Sequence, residues 1–245
     1  LTYITYQQNK IWKNSATLWT KVIKYYPNTT LPWGNRANFY RDSGYDRIAL
    51  NDYNKAISLG ENTAGPFNSR AKLFFKSSHR DTIQLALQDY NKAISLDPNN
   101  GEYYMNRGAT FARLNDLNRA LNDLIKAGQL NPENPTIYLN RSIVYHQTGQ
   151  YENEIKDILQ YLRLNPNNAN MWANLANAQM LTGQWTPALT NINQAIKMNP
   201  NMGVYYYYRA QYYYNTGNNA SAQQDLNQAR QLGFQFNGGI DKLRM

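Results

Sequence analysis

ANMWANLANAQMLTGQWTPALTNINQAIKMNPNM, residues 169–202, is the stretch on which the reading of the fold turns. Trp172, Leu175, Ala176 and Gln179 fall at helical spacing, and Gly183 then interrupts them as a glycine does beyond a helix C-terminus. Thr186 and Pro187 read as an N-cap followed by proline at the first helical position. Ala188, Ile192, Ala195 and Ile196 form a second apolar stripe, which Asn199-Pro200 closes. The stretch predicts two amphipathic helices joined by a tight turn.

The same plan recurs on both sides, in the segments 101–134, 135–168 and 203–234 and, further upstream, in 30–63. Segment 64–100 fits with three extra residues around Ser77-Ser78-His79-Arg80-Asp81-Thr82. A constant period of about 34 residues marks a stack of helical hairpins that bury their apolar faces on one another. The fourth position of each unit is large: Trp33, Phe67, Tyr104, Tyr138, Trp172 and Tyr206. The eighth is small: Ala37, Ala71, Gly108, Ser142, Ala176 and Ala210. The twentieth holds Ala49, Ala86, Ala120, Glu154, Ala188 and Ala222, and the twenty-seventh Ala56, Ala93, Ala127, Tyr161, Ala195 and Ala229. Two helices approach closely only where neither carries bulk, and large residues fill the holes beside the contact.

These positions and this period resemble the tetratricopeptide-repeat family. The resemblance implies an all-α fold, a right-handed α-solenoid of helix-turn-helix units, with six units over 30–234. Residues 1–29 read as a partial N-terminal repeat whose second helix, 14–26, presents Trp19, Val22 and Ile23. Residues 235–245 read as a C-terminal capping segment with a short helix over 237–244. The fourth unit departs from the pattern at Glu154 and Tyr161. Glu154 is expected near Ser142, as a local repacking rather than a functional carboxylate.

The seventh position, usually leucine in the family, is Arg36, Arg70, Arg107, Arg141 and Arg209, with Leu175 the exception. The twenty-third is Asp52, Asp89, Asp123, Asp157 and Asp225, with Asn191 the exception. Both exceptions fall in the same unit. Each arginine is therefore expected to meet the aspartate of its own unit, since a planar guanidinium fits a carboxylate with two parallel hydrogen bonds.

That pairing bears on the partner. The net charge is +9, there is no cysteine, and the two histidines, His79 and His146, are far apart in sequence. No metal site and no cofactor is expected. No nucleotide-binding or hydrolase motif is present, and the acidic residues mostly sit in the structural register, so no catalytic residue is assigned and no enzymatic activity is expected. The positive charge is spread along the chain without a basic stripe, and the sixth-position residues are uneven. Nucleic acid is accordingly not the expected partner.

The family resemblance implies that first helices line a groove. At the sixth position stand Asn35, Asn106, Asn140 and Asn174, with Ser69 and Tyr208 in the remaining units. This resembles the asparagine ladder in the tetratricopeptide superhelix of O-GlcNAc transferases, whose amides grip the backbone of an extended peptide. An asparagine amide both donates and accepts, matching peptide N–H and C=O groups. Asn38, Asn68, Lys72, His146 and Asn177 are expected on the same surface, joined by Tyr207, Tyr208 and Tyr214 from a tyrosine-rich last unit, with Tyr206 and Tyr213 in the core. The basic clamp that binds chaperone tails is not reproduced: Gly34, Asn38, Asn68, Glu102 and Asn106 occupy its places. The expected partner is a protein or an extended peptide.

Finally, Trp12, Leu18 and Trp19 reproduce the spacing of a junction in multi-spanning, glycosyltransferase-like membrane proteins that carry a tetratricopeptide tail. No apolar run in the chain is long enough to span a bilayer. The junction resemblance implies instead a domain tethered to a membrane, on the extracytoplasmic side, that recruits substrate.

Overall fold

The computed structural model describes residues 15–236 and Leu243. Within them the chain is helical throughout, with no strand. It divides into two compact parts, residues 1–131 and 132–245. The sequence-stretch assigned to Trp12 and most of the 237–244 segment lie outside the described residues.

The first part opens with α1 (Ser15–Tyr25), which packs on α2 (Thr30–Asp42). Three hairpins follow: α2 with α3 (Asp46–Ser58), α4 (Ala64–Phe75) with α5 (Arg80–Leu96), and α6 (Gly101–Arg113) with α7 (Leu117–Leu130). The second part holds three more: α8 (Pro135–Gln147) with α9 (Tyr151–Leu164), α10 (Ala169–Leu181) with α11 (Trp185–Met198), and α12 (Gly203–Asn215) with α13 (Asn219–Gln231). Inside each part, the second helix of one hairpin also packs on the first helix of the next. Among the described residues no helix is long and apolar enough to cross a membrane.

The small positions do what the spacing predicts. Ala49, Ala86, Ala120, Ala188 and Ala222 are completely buried, as are Ala56, Ala93, Ala127, Ala195 and Ala229. The large fourth-position residues are only partly covered in Trp33, Tyr104, Trp172 and Tyr206. Five of the six hairpin turns use a left-handed residue. Gly44, Gly149, Gly183 and Gly217 supply it, and in the third hairpin Asn115 takes the place at φ +64°, the non-glycine residue that tolerates it best.

Many of the asparagines are explained by capping. Asn100, Asn134 and Asn168 accept the backbone N–H of Glu102, Thr136 and Met171 at the starts of α6, α8 and α10. Such a cap stabilises a helix by about 1 kcal/mol. The expected cap at Thr186 is displaced: α11 already begins at Trp185, after Gln184. Pro187 therefore lies inside the first turn, where its missing N–H has no helical acceptor to lose. The three extra residues of 64–100 enter α5, which runs for 17 residues. The carbonyls left open beyond α4 are met by Arg113, which donates to Phe75 and Ser77.

Gly203 shows how tightly the last hairpin closes. A Cβ there would stand 2.6 Å from Phe234 Cβ and 2.8 Å from the Ala229 carbonyl oxygen. Gly203→Ala is expected to destabilise by about 1–3 kcal/mol through overpacking, read as a lower thermal midpoint.

Candidate functional site

The arginines come first, because they decide which surface is left for a partner. Each of the five meets the aspartate of its own hairpin through Nε and Nη2 at 2.6–2.8 Å: Arg36 with Asp52, Arg70 with Asp89, Arg107 with Asp123, Arg141 with Asp157, and Arg209 with Asp225. The carboxylates are buried. The Arg36, Arg70, Arg107 and Arg209 guanidinia use Nη1 to reach back to the preceding helix pair, at Thr20, Asn54, Asn91 and Asn193. Aromatic rings flank them, Trp33 and Tyr40 beside Arg36, and Tyr104 and Phe111 beside Arg107. In the fifth unit Leu175 is buried, and Asn191 donates instead to Gln179 at 2.7 Å. Gln179 occupies the place that Tyr40, Phe111 and Tyr213 hold elsewhere, so three residues change together. All five guanidinium forks are thus occupied by carboxylates of their own hairpins, and four of them also bond to the preceding helix.

The expected groove residues are not treated alike by the structure. In the first part, Asn68 is buried; it donates to Glu102 at 3.4 Å and accepts from Asn106 at 3.0 Å. Lys72 forms an ion pair with the same Glu102 carboxylate, which these donors hold below its ordinary pKa against the opposing effect of burial. Asn68, Lys72 and Asn106 thus form one polar network around Glu102, with Asn68 buried and the ion pair partly exposed. Asn38 accepts from Arg41 and from the buried Tyr53 hydroxyl. Asn35 and Asn38 also border a shallow depression with Trp19 and Phe39.

In the second part, His146, Asn174, Asn177 and Tyr208 converge. They line a cavity of about 280 Å³ together with Ser142, Ile143, Gln147 and Glu154. Four of these come from α8, Glu154 from the start of α9, two from α10 and Tyr208 from α12, so three successive first helices build the cleft. The Asn177 side chain makes no hydrogen bond to another described residue, and Asn174 makes only a long contact of 4.0 Å with the Met171 sulfur. Burial pushes the Tyr208 hydroxyl above its ordinary pKa, and the Glu154 carboxylate nearby acts in the same direction. Asn140, in the same register, is not part of the lining.

Two tyrosine placements differ from expectation. Tyr207 lies tilted against Phe234 and Phe236, ring centroids 5.2 and 5.1 Å apart, and both Tyr207 and Tyr214 pack against the Ala210, Ala222, Leu226 and Leu243 cluster. Phe234, Phe236 and Leu243 cover them, because seven neighbouring tyrosines exceed what a cleft one helix face wide can display. Tyr205, not Tyr206, is the fully buried one, and its hydroxyl donates to Asn170.

Glu154 is the residue that sequence reasoning undervalued. Its partner is His146, with Nδ1 at 2.9 Å from Oε2, not Ser142, whose hydroxyl donates to the Leu139 carbonyl. The glutamate is buried while the imidazole is half exposed. Burial pushes the Glu154 carboxyl above its ordinary 4.5, partly offset by the bond to His146. A carboxyl whose pKa is raised on folding stabilises fully below its unfolded value and loses that contribution as pH rises through the folded value. Glu154→Gln, which is neutral throughout, should therefore gain thermal midpoint relative to the parent between pH 4 and pH 7. A difference that stays constant across that range would contradict this.

A TPR repeat model matches residues 83–115 and 110–149, and tetratricopeptide repeat models match 135–168 and 173–233. The chain is a tetratricopeptide-repeat protein. No curated protein sequence matches it. Among solved tetratricopeptide structures, YrrB, described as having an unusual peptide-binding site, superposes with a TM-score of 0.65 at 20% identity, over 76% of this chain and 94% of its own. PilF of Pseudomonas aeruginosa superposes with a TM-score of 0.68 at 18% identity, over 86% and 94%. A tetratricopeptide repeat protein from Parabacteroides merdae gives 0.61 at 18% identity, over 98% and 93%. At these identities the likeness establishes the all-α tetratricopeptide solenoid fold.

Proposed function

We propose that this protein is a non-catalytic interaction module that holds an extended peptide or protein segment in the cleft of residues 132–245. The observation that carries the reading is the convergence of Asn174, Asn177 and Tyr208 on one cavity with their polar groups uncommitted, while the first-helix arginines of the same part, Arg141 and Arg209, are held by Asp157 and Asp225. An asparagine amide both donates and accepts, as the N–H and C=O groups of a peptide backbone require. Tyrosine adds contact area at low entropic cost. The likeness to YrrB, a peptide binder by its description, is in keeping with this. The test is a peptide-array screen of the intact protein beside an Asn174→Ala/Asn177→Ala variant. Spots that persist unchanged in the variant would reject the cleft as the binding site.

A second reading makes the chain the substrate-recruiting segment of a membrane-embedded, glycosyltransferase-like enzyme. It rests on the Trp12, Leu18 and Trp19 spacing alone. The full-length gene decides it: membrane spans upstream would support the reading, and their absence would end it.

A further inference from the structure

At the twentieth position of five units a fully buried alanine lets the two helices of the hairpin touch. In the fourth unit that place holds Glu154, a side chain only 6% exposed. Withdrawing a carboxylate from water is costly unless a partner restores its interactions. An alanine here would fit as it does five times elsewhere, so packing alone does not call for the glutamate.

The surroundings of Glu154 indicate what it answers to. It lines the cavity of about 280 Å³, with His146 on Oε2 and the side chains of Asn174, Asn177 and Tyr208 around the space. No lysine or arginine lines this cavity. Arg141, on the same helix as His146, is spent on Asp157. In a chain of net charge +9, the one formal charge of an acid or base in this wall, apart from the histidine, is negative. The volume lies at the small end of ligand pockets, suited to one side chain rather than a whole small molecule. Ile143 offers an apolar flank for an aliphatic stem, while amide and hydroxyl oxygens offer acceptors for a multi-donor head.

We infer that this cavity is a subsite for one cationic side chain, a lysine ammonium or an arginine guanidinium, of the segment bound in the cleft, with Glu154 as its counter-ion and Asn174, Asn177 and Tyr208 as further acceptors. The inference names the side-chain chemistry of the proposed peptide ligand and so rests on that reading. It gives the cleft a selectivity that backbone capture lacks. It also reconciles a basic protein with a basic ligand residue, because the field that matters within a narrow cleft is the local one.

The test uses the intact protein and small probes. Nα-acetyl-lysine methylamide and Nα-acetyl-arginine methylamide are titrated while the His146 imidazole signal is followed by NMR, assigned with His146→Gln against the only other histidine, His79. The norleucine and citrulline analogues serve as neutral isosteres. Both cationic probes are expected to shift the His146 signal saturably, with the neutral analogues at least tenfold weaker. Glu154→Gln should lose at least tenfold in affinity for the cationic probes. Glu154→Ala, which restores the residue of the other units, should do the same with a folded far-UV spectrum. Equal responses to charged and neutral probes, or an undiminished response in both variants, would overturn the inference. Should array-selected peptides bind in an Asn174- and Asn177-dependent way without preference for lysine or arginine, the cation subsite falls and the peptide cleft stands. An array blank for every peptide overturns both.

Discussion

Asp123→Ala is expected to lower stability by about 3–5 kcal/mol, the loss measured when one partner of a buried ion pair is removed. Asp123 is buried, and its carboxylate takes two parallel hydrogen bonds from Arg107 at 2.7 and 2.8 Å. The guanidinium is wedged beside Tyr104 and Phe111 and also donates to Asn91. Without the aspartate, a partly buried cation is left without its counter-ion. Because Arg107 links two hairpins, the damage should spread to the neighbouring interface, as nearest-neighbour coupling in repeat arrays requires. The fifth unit supplies the control. There Leu175, Asn191 and Gln179 replace arginine, aspartate and aromatic together. Transplanting that set as Arg107→Leu, Asp123→Asn and Phe111→Gln should cost less than Asp123→Ala alone, since it leaves no charge behind. Urea denaturation of both variants checks the order. An unchanged midpoint for Asp123→Ala would remove the strut from the account.

Tyr208→Ala is expected to weaken an array-selected peptide by about 2 kcal/mol, roughly 30-fold, the range of a buried aromatic anchor at an interface. Tyr208 stands where the cleft from α8 and α10 is closed by α12, and it supplies the only tyrosine ring among the lining residues. Tyr207→Ala is the matched control. That ring lies on Phe234 and Phe236 in the C-terminal cluster, so its loss should lower the thermal midpoint and leave affinity within about twofold. Isothermal titration with both variants separates anchor from support. Equal losses of affinity would mean that the tyrosines act through folding alone.

Much of the fold was legible because the sequence repeats itself. Six small residues in one register identify a close helix contact more firmly than any single helix pattern does. The arginine–aspartate pairing was legible from its one exception, since Leu175 and Asn191 vary together. The site was legible only in outline. Register says which face a side chain occupies, not which partner takes its hydrogen bonds. Asn106 and Asn174 share a position, yet Asn106 is held by Asn68 in a network built on Glu102, while Asn174 faces an open cavity. Glu154 was conspicuous as a departure from alanine, but its meaning depended on His146 standing one hairpin turn away. The tyrosines of α12 were assigned by helical phase, and the packing of Phe234 and Phe236 then claimed two of them.

In the proposed function the uncommitted amides of the 132–245 cleft, and not the arginines, hold the partner. The side-chain amide NMR signals of the protein, recorded with and without an array-selected peptide, test it directly. The account predicts that the Asn174 and Asn177 signals shift on binding while those of Asn68 and Asn106, locked in their own network, stay in place. Shifts confined to the guanidinium signals of Arg36, Arg70, Arg107 and Arg209, with Asn174 and Asn177 unmoved, would contradict it.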